Sequence, residues 1–255
     1  MSQRIPFGHA AWALLLPLLS LGLRPPLEGV EFSAAAEVGP LWMSRNVVRY
    51  PGNSGDRIDL RQLTGSGPST AARLHLHADL SPRHHLRFTA APLSLSGSGT
   101  LNQARRFGDS TFDTSSPVRA RYRFDTYRLS YRWNAYHTES WQLGIGAAVL
   151  LRDAEIRLRQ GSQSERTSNV GVVPLLHLRA TYQINQDWQF FTEVEGAAAE
   201  QGRAIDATAQ ILHAPVDAPW SLALGLRSLE GGADNNEVYA FAWYTSAIAT
   251  FAWQW

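Results

Sequence analysis

A period of two dominates this chain. In its final stretch, EVYAFAWYTSAIATFAWQW, the residues read back two at a time from Trp255 (Trp253, Phe251, Ala249, Ala247, Thr245, Trp243, Phe241, Tyr239) are apolar almost throughout, with aromatics at both ends. The intervening row, Gln254, Ala252, Thr250, Ile248, Ser246, Tyr244, Ala242 and Ala240, is smaller and more polar. Successive side chains of a strand point to opposite faces, so the pattern predicts one long strand between two different environments. At about 3.4 Å per residue such a strand exceeds the typical five or six residues and is long enough to cross a bilayer at a tilt. Aromatics at both ends with small aliphatics between them match two membrane interfaces.

The same alternation recurs after Gly29. VEFSAAAEVGPLWM sets Val30, Phe32, Ala34, Ala36 and Val38 against Glu31, Ser33, Ala35 and Glu37, and DTYRLSYRW sets Tyr127, Leu129, Tyr131 and Trp133 against Arg128, Ser130 and Arg132. The segments AARLHLHADL, HLRFTAAPL, WQLGIGAAVLL, VPLLHLRATY and WQFFTEVEG repeat it. Charged residues make up only 18% of the 255 residues while hydrophobics reach 44%, and the mean hydropathy is −0.22. A helical membrane protein would be far more apolar, whereas a barrel confines its lipid-facing groups to every second position. A net charge of +1 supplies no electrostatic footprint for nucleic acid, and the absence of cysteine excludes disulfides and thiolate metal sites.

Two domains are expected. Arg4, the apolar run Ala10 to Leu23 and Arg24 with two prolines read as a signal peptide over residues 1–28, too short in its core for a spanning helix. Residues 29–255 then form about ten strands, with eight as the alternative count. Short turns fall at 81–84, 134–139, 185–187 and 215–219, rich in turn-forming residues. They alternate with longer polar connections at 44–70, 97–117 and 153–169 and shorter ones near 200 and 231–236, so both ends of the barrel chain are expected on one side. Trp133, Trp141, Tyr182, Trp188, Trp220 and Trp255 flank the short turns or the chain end.

With its alternating strands, its aromatics at the turns and its aromatic end, the mature chain resembles the small bacterial outer-membrane β-barrel proteins. The resemblance implies an all-β fold, a closed antiparallel transmembrane β-barrel, located in the outer membrane. It further implies that Phe251, Trp253 and Trp255 are the signal read by the barrel-assembly machinery. The other expected partners are outer-membrane lipid and lipopolysaccharide, with the chain a monomer, no nucleic acid and no cofactor.

The inward rows carry a charge network, with Arg73, His75, His77, Asp79, Arg87, Arg128, Arg132, His177, Arg179, Glu193 and Glu195 as its candidate residues. Pairing across the NQD turn would set Arg179 opposite Glu193 and His177 opposite Glu195, a favourable arrangement on a ladder. Around the SPRH turn, Asp79 is expected to meet Arg87. Gly144 and Gly146 are expected opposite Ser130 and Arg128, leaving room for a guanidinium. A barrel this narrow has little lumen once side chains fill it, so a non-enzymatic structural barrel or narrow pore is the expectation. On this reading its loops, notably Arg105, Arg106, Arg119, Arg121 and Arg123, contact lipopolysaccharide or an external partner. The alternative is a lipid-modifying hydrolase of the lipid A deacylase kind, which needs a Ser and a His in contact on the lipid-facing wall. There His213 is the expected outward histidine, and no catalytic or metal site is assigned.

Overall fold

The computed structural model describes residues 29–255, so the expected signal peptide lies outside the described residues. In chain order the elements are β1 (Glu31–Arg49), β2 (Ile58–Asp59), a one-turn helix α1 (Arg61–Thr64), β3 (Ser69–Ser81), β4 (His84–Ala91), β5 (Ser94–Gly99), β6 (Arg105–Phe107) and β7 (Ser110–Phe112). They continue with β8 (Val118–His137), β9 (Trp141–Gln160), β10 (Gln163–Gln183), β11 (Trp188–Ala199), β12 (Gly202–His213), β13 (Trp220–Asp234) and β14 (Tyr239–Gln254). Each long strand pairs antiparallel with its sequence neighbour, β4 and β5 share one position against β8, and β14 pairs with β1. The result is a closed ten-strand barrel.

Closure follows from the alternation. Leu129, Val149, Leu176, Leu178, Leu222, Leu224 and Leu226 face outward and are exposed, and an apolar outer wall of this kind is at equilibrium only against lipid. Trp133, Trp141, Tyr182, Trp188, Trp253 and Trp255 line the wall at the end bearing both described chain ends. Trp141 packs on Tyr182 with ring centroids 4.9 Å apart, and Trp188 on His213 at 4.6 Å. Edge strands with unpaired backbone groups cannot be left in lipid, so β1 and β14 must meet. The Trp255 N–H donates to the Phe32 carbonyl at 3.1 Å, completing that seam.

The expected connection at 153–169 is corrected: β9 and β10 run on as a regular hairpin to Gln160 and Gln163, turning at Gly161 with φ 57°. The outward row there is charged, which hides the strand; the inward Ile156 and Leu158 are buried. Phe241 departs from the exposed apolar row of β14. It is buried because Arg45 and Arg203 each place a guanidinium 5.1 Å from its ring centroid.

Candidate functional site

The barrel interior has two storeys. The lower one, toward the short turns, is ionic. Arg227 grips Glu37 with a two-pronged fork, Nε to Oε1 at 3.0 Å and Nη2 to Oε2 at 2.8 Å, and donates from Nη1 to Asp206 at 2.7 Å. Asp206 also accepts from Arg73 at 2.8 Å and from Arg128 at 2.9 Å. Arg87 forks onto Glu193 at 2.6 and 3.0 Å and touches Glu195 at 3.2 Å, while Arg128 also pairs with Glu195. Arg179 donates to Glu193 at 3.2 Å and lies with its Cζ 3.9 Å from the Phe191 ring centroid. Forked guanidinium–carboxylate pairs combine charge with fixed geometry; the bonds of Arg73, Arg87 and Arg128 tie strands on opposite walls of the barrel, and those of Arg179 to Glu193 and Arg227 to Asp206 join neighbouring strands.

The hairpin register sets Arg179 opposite Glu193 and His177 opposite Glu195. Two other expectations are corrected. His77, not Asp79, lies opposite Arg87, and Asp79 instead lies opposite His85, whose Nδ1 is 2.5 Å from the Asp79 carboxylate. Arg87 is long enough to reach across the lumen, where the acids are. Gly144 and Gly146 lie opposite Asn134 and Arg132, so the guanidinium they accommodate belongs to Arg132. A Cβ on Gly144 would stand 2.6 Å from the Arg132 Cδ.

His75 meets the Thr89 hydroxyl at 3.0 Å and lies beside His77, their rings tilted 44° with centroids 6.1 Å apart. His177, Glu193 and Glu195 lie close enough to share an ion, but Arg87, Arg128 and Arg179 already neutralise both carboxylates, and a divalent cation would sit among those guanidinia. The Ser130 Oγ donates to Glu195 at 2.5 Å, and the His177 Nδ1 lies 2.9 Å from the same oxygen. The carboxylate thus stands between hydroxyl and imidazole, which is not the nucleophile–base contact of a hydrolase. On the outer wall His213 packs between Trp188 and Trp220. His84 is outward as well, a second correction to the single expected histidine, with its Nδ1 2.7 Å from the Tyr131 hydroxyl.

The upper storey is apolar. The 44–70 connection returns into the barrel mouth as β2 and α1, and the 97–117 connection as the β6–β7 hairpin. Ile58, Leu60, Leu63, Leu101, Phe107 and Phe112 pack with Met43, Val118, Tyr122, Leu158 and Tyr244 in one buried cluster. Phe107 and Phe112 are fully buried, and the Tyr244 hydroxyl donates to Tyr122 at 2.6 Å. Arg61 grips Asp59 at 2.6 Å within this plug. Burial would raise the Asp59 carboxyl, but the Arg61 hydrogen bonds outweigh it and hold the group below its ordinary value.

Above the apolar belt, on the outer face of the β8–β9–β10 extension, arginines face one another. Arg119 lies directly opposite Arg159, Arg121 opposite Arg157, and Arg157 opposite Arg166. Next below, Arg123 holds Asp153 through two bonds of 2.7 and 2.8 Å. Arg157 reaches Glu155 at 3.2 Å, but among the described residues no carboxylate lies within 4.0 Å of Arg119, Arg121 or Arg159. Arg121 and Arg159 meet only the hydroxyls of Ser94 and Ser164, each at 3.3 Å. Arg157, Arg159 and Arg166 were hidden from sequence reasoning inside the expected loop; the alternation of Ile156 and Leu158 with arginines is the signal that reveals them. Of the other loop arginines, the exposed Arg106 donates its backbone N–H to Asp56 and its Nε to the Gly108 carbonyl at the edge of the plug.

The outer membrane protease OmpT of Escherichia coli aligns over 88% of this chain and 97% of its own, at 9% identity with a TM-score of 0.54. The fold is that of the small bacterial outer-membrane β-barrels. Ail, the attachment invasion locus protein of Yersinia pestis, aligns over 88% of this chain and 99% of its own at 8% identity and a TM-score of 0.40. The toluene transporter TbuX of Ralstonia pickettii aligns over 90% and 64% at 13% identity and 0.36. No protein-family model matches the chain, and no curated protein sequence matches it significantly.

Proposed function

We propose that this chain is an outer-membrane barrel closed to solutes that binds lipopolysaccharide at its extracellular rim. The observation that supports the reading is the row of opposed arginines, Arg119 with Arg159 and Arg121 with Arg157. Like charges directly across a ladder cost roughly 0.2–1 kcal/mol each, and nothing in the described chain repays it at Arg119, Arg121 or Arg159. Above Tyr127 and Leu151, the last outward apolar pair of β8 and β9, come Asp125 opposite Asp153 and Arg123 opposite Glu155, and the opposed arginines begin at Arg121 and Arg157. Eight residues separate Tyr127 from Arg119, about 27 Å along the strand. On this reading both described chain ends face the periplasm and the arginines reach from the phosphates of lipid A into the inner core, which guanidinium groups grip in bidentate fashion. On this reading, which the two filled storeys of the lumen support, the protein is a non-enzymatic wall element whose activity lies on its outside, and Phe251, Trp253 and Trp255 serve as its assembly signal.

Titration of refolded protein in detergent with purified lipopolysaccharide tests this. Binding should weaken at least tenfold when Arg121 and Arg157 are both replaced by glutamate, and as strongly when the lipopolysaccharide is enzymatically dephosphorylated. Equal affinity for phosphorylated and dephosphorylated material would overturn the reading.

A further inference from the structure

The barrel wall is not uniformly sealed. β10 and β11 pair from Gln183↔Gln189 up to Leu176↔Gly196 and no further. Continuing that register would set Ala197 opposite Leu175 and Ala198 opposite Pro174. Proline has no N–H to give, and within sheets it is confined to edges and bulges, so the ladder stops there. Above this point β10 pairs only with β9, and the β11–β12 hairpin ends at Ala199 and Gly202.

The gap opens into a crevice of about 420 Å³. Its flanking walls are small or aliphatic, Leu150, Val173 and Leu175 on one side and Ala197, Ala199 and Ala204 on the other, while Arg128, the Arg203–Glu230 ion pair, Gln201 and Asn235 line the rest. At its edge Val170 and Val172 are 65% and 66% exposed on the outer wall, beside Leu151 at the upper border of the apolar belt. A water-filled slot would not need an apolar lining at this height, and an apolar slot open to lipid is matched by a hydrocarbon chain.

Of the three guanidinia in this lining, Arg128 and Arg203 are held by carboxylates and Arg152 is not. Arg152 points inward from β9 and crosses over Gly171, whose missing side chain leaves the passage: a Cβ there would stand 3.3 Å from the Arg152 Nη2. The guanidinium donates to the Asn169 Oδ1 at 2.8 Å. Its Nε is buried without a partner, and among the described residues no carboxylate lies within 4.0 Å of it. Glu195 and Asp206 at the crevice floor are already held by Arg73, Arg87, Arg128 and Arg227.

We propose that the crevice between β10 and the β11–β12 hairpin is a lateral binding site for a long-chain fatty acid, entered from the outer leaflet, with the hydrocarbon chain against Leu150, Val173, Leu175, Ala197 and Ala204 and the carboxylate on Arg152. The site needs no opening of the plug and no movement of the ionic storey. A carboxylate is the smallest anionic head that a single guanidinium can hold in a fork. A neutral lipid would leave Arg152 unpaired.

The test uses refolded barrel in dodecyl-maltoside micelles, with heat-modifiable gel migration to show that each variant is folded. The probe is cis-parinaric acid, whose fluorescence rises in an apolar slot, alongside its methyl ester. The wild type should bind the acid saturably and at least tenfold more tightly than the ester. Arg152→Leu should abolish that preference while still binding the ester. Ala197→Trp with Ala204→Phe, two residues directly opposite on the inward row, fills the slot and should remove saturable binding of both, leaving only micelle partitioning. No saturable binding to the wild type, or binding unchanged in the filled variant, would overturn the site. An acid preference that survives Arg152→Leu would overturn the assignment of the head group.

Discussion

The two storeys of the lumen solve one problem, filling a narrow cylinder, with opposite chemistries. The lower storey sets Arg73, Arg87, Arg128, Arg179 and Arg227 against Glu37, Glu193, Glu195 and Asp206. The upper storey seals the mouth with Phe107, Phe112, Leu60 and Leu63, carried in by loops, against Leu158 of β9. Ion pairs are directional, and Arg73, Arg87 and Arg128 find their partners on the opposite wall, so each bond fixes the relative position of two strands. Apolar contacts are non-directional, and the loops that carry them can settle after a loss. The lower storey is therefore a set of crossbars and the upper one a stopper.

The comparison breaks most sharply at Asp206. Replacing it by alanine takes one partner at once from three buried guanidinia, which keep only Glu37 or Glu195, and removing one partner of a buried pair typically costs about 3–5 kcal/mol. The urea midpoint for unfolding from micelles should fall for the whole barrel, read as loss of heat-modifiable migration. A midpoint within experimental error of the wild type would show that the crossbars do not hold the cylinder. Phe107→Ala should cost about 3 kcal/mol, the low end of the range for emptying a buried phenylalanine site, because the β6–β7 hairpin can collapse into the space. Its effect should be local: faster hydrogen exchange and proteolysis within residues 97–117, with strands β8 to β14 unchanged. If both variants loosened the same segments, the two storeys would be one cooperative unit.

Conductance sharpens the same contrast. Wild-type protein refolded into a planar bilayer should be silent, and so should the Phe107→Ala, Phe112→Ala double variant, because the crossbars remain under the opened mouth. Steady conductance from the double variant alone would assign the seal to the stopper.

How legible these features were in the sequence depends on the range of the interaction that made them. Alternation is local, so the strands, the lipid-facing rows and the hairpin pairs Arg179 with Glu193 and His177 with Glu195 could be read directly. Tight-turn geometry carries register only a few residues: the β3–β4 pairing is Asp79 with His85 rather than Arg87, and a register shift between Asn134 and Tyr136 moves Gly144 and Gly146 along β8. Partners across the lumen were out of reach. Arg87 and Glu193 lie 106 positions apart, and which walls face each other depends on closure of the whole barrel. Of the rim arginines, Arg119 and Arg121 were legible, but Arg157, Arg159 and Arg166 were hidden for a different reason, since above the lipid a strand has no apolar outer row to announce it.

The smallest expected effect tests whether charge matters to the stopper as it does to the crossbars. Arg61 and Asp59 form an ion pair in the upper storey, yet both side chains keep contact with solvent, at 34% and 25% exposure. Screening and side-chain entropy bring such pairs down to about 0–1 kcal/mol, so Arg61→Ala should barely move the urea midpoint at neutral pH. The carboxyl of Asp59 is lowered from 3.8 in the folded protein, so its contribution is present above that value and fades as pH falls through the lower folded one. The difference between wild type and Arg61→Ala should therefore shrink to nothing in strong acid. If it grew instead, the variant would be acting through packing of the Arg61 stem against the plug, and the upper storey would be apolar in its energetics even where it carries charge.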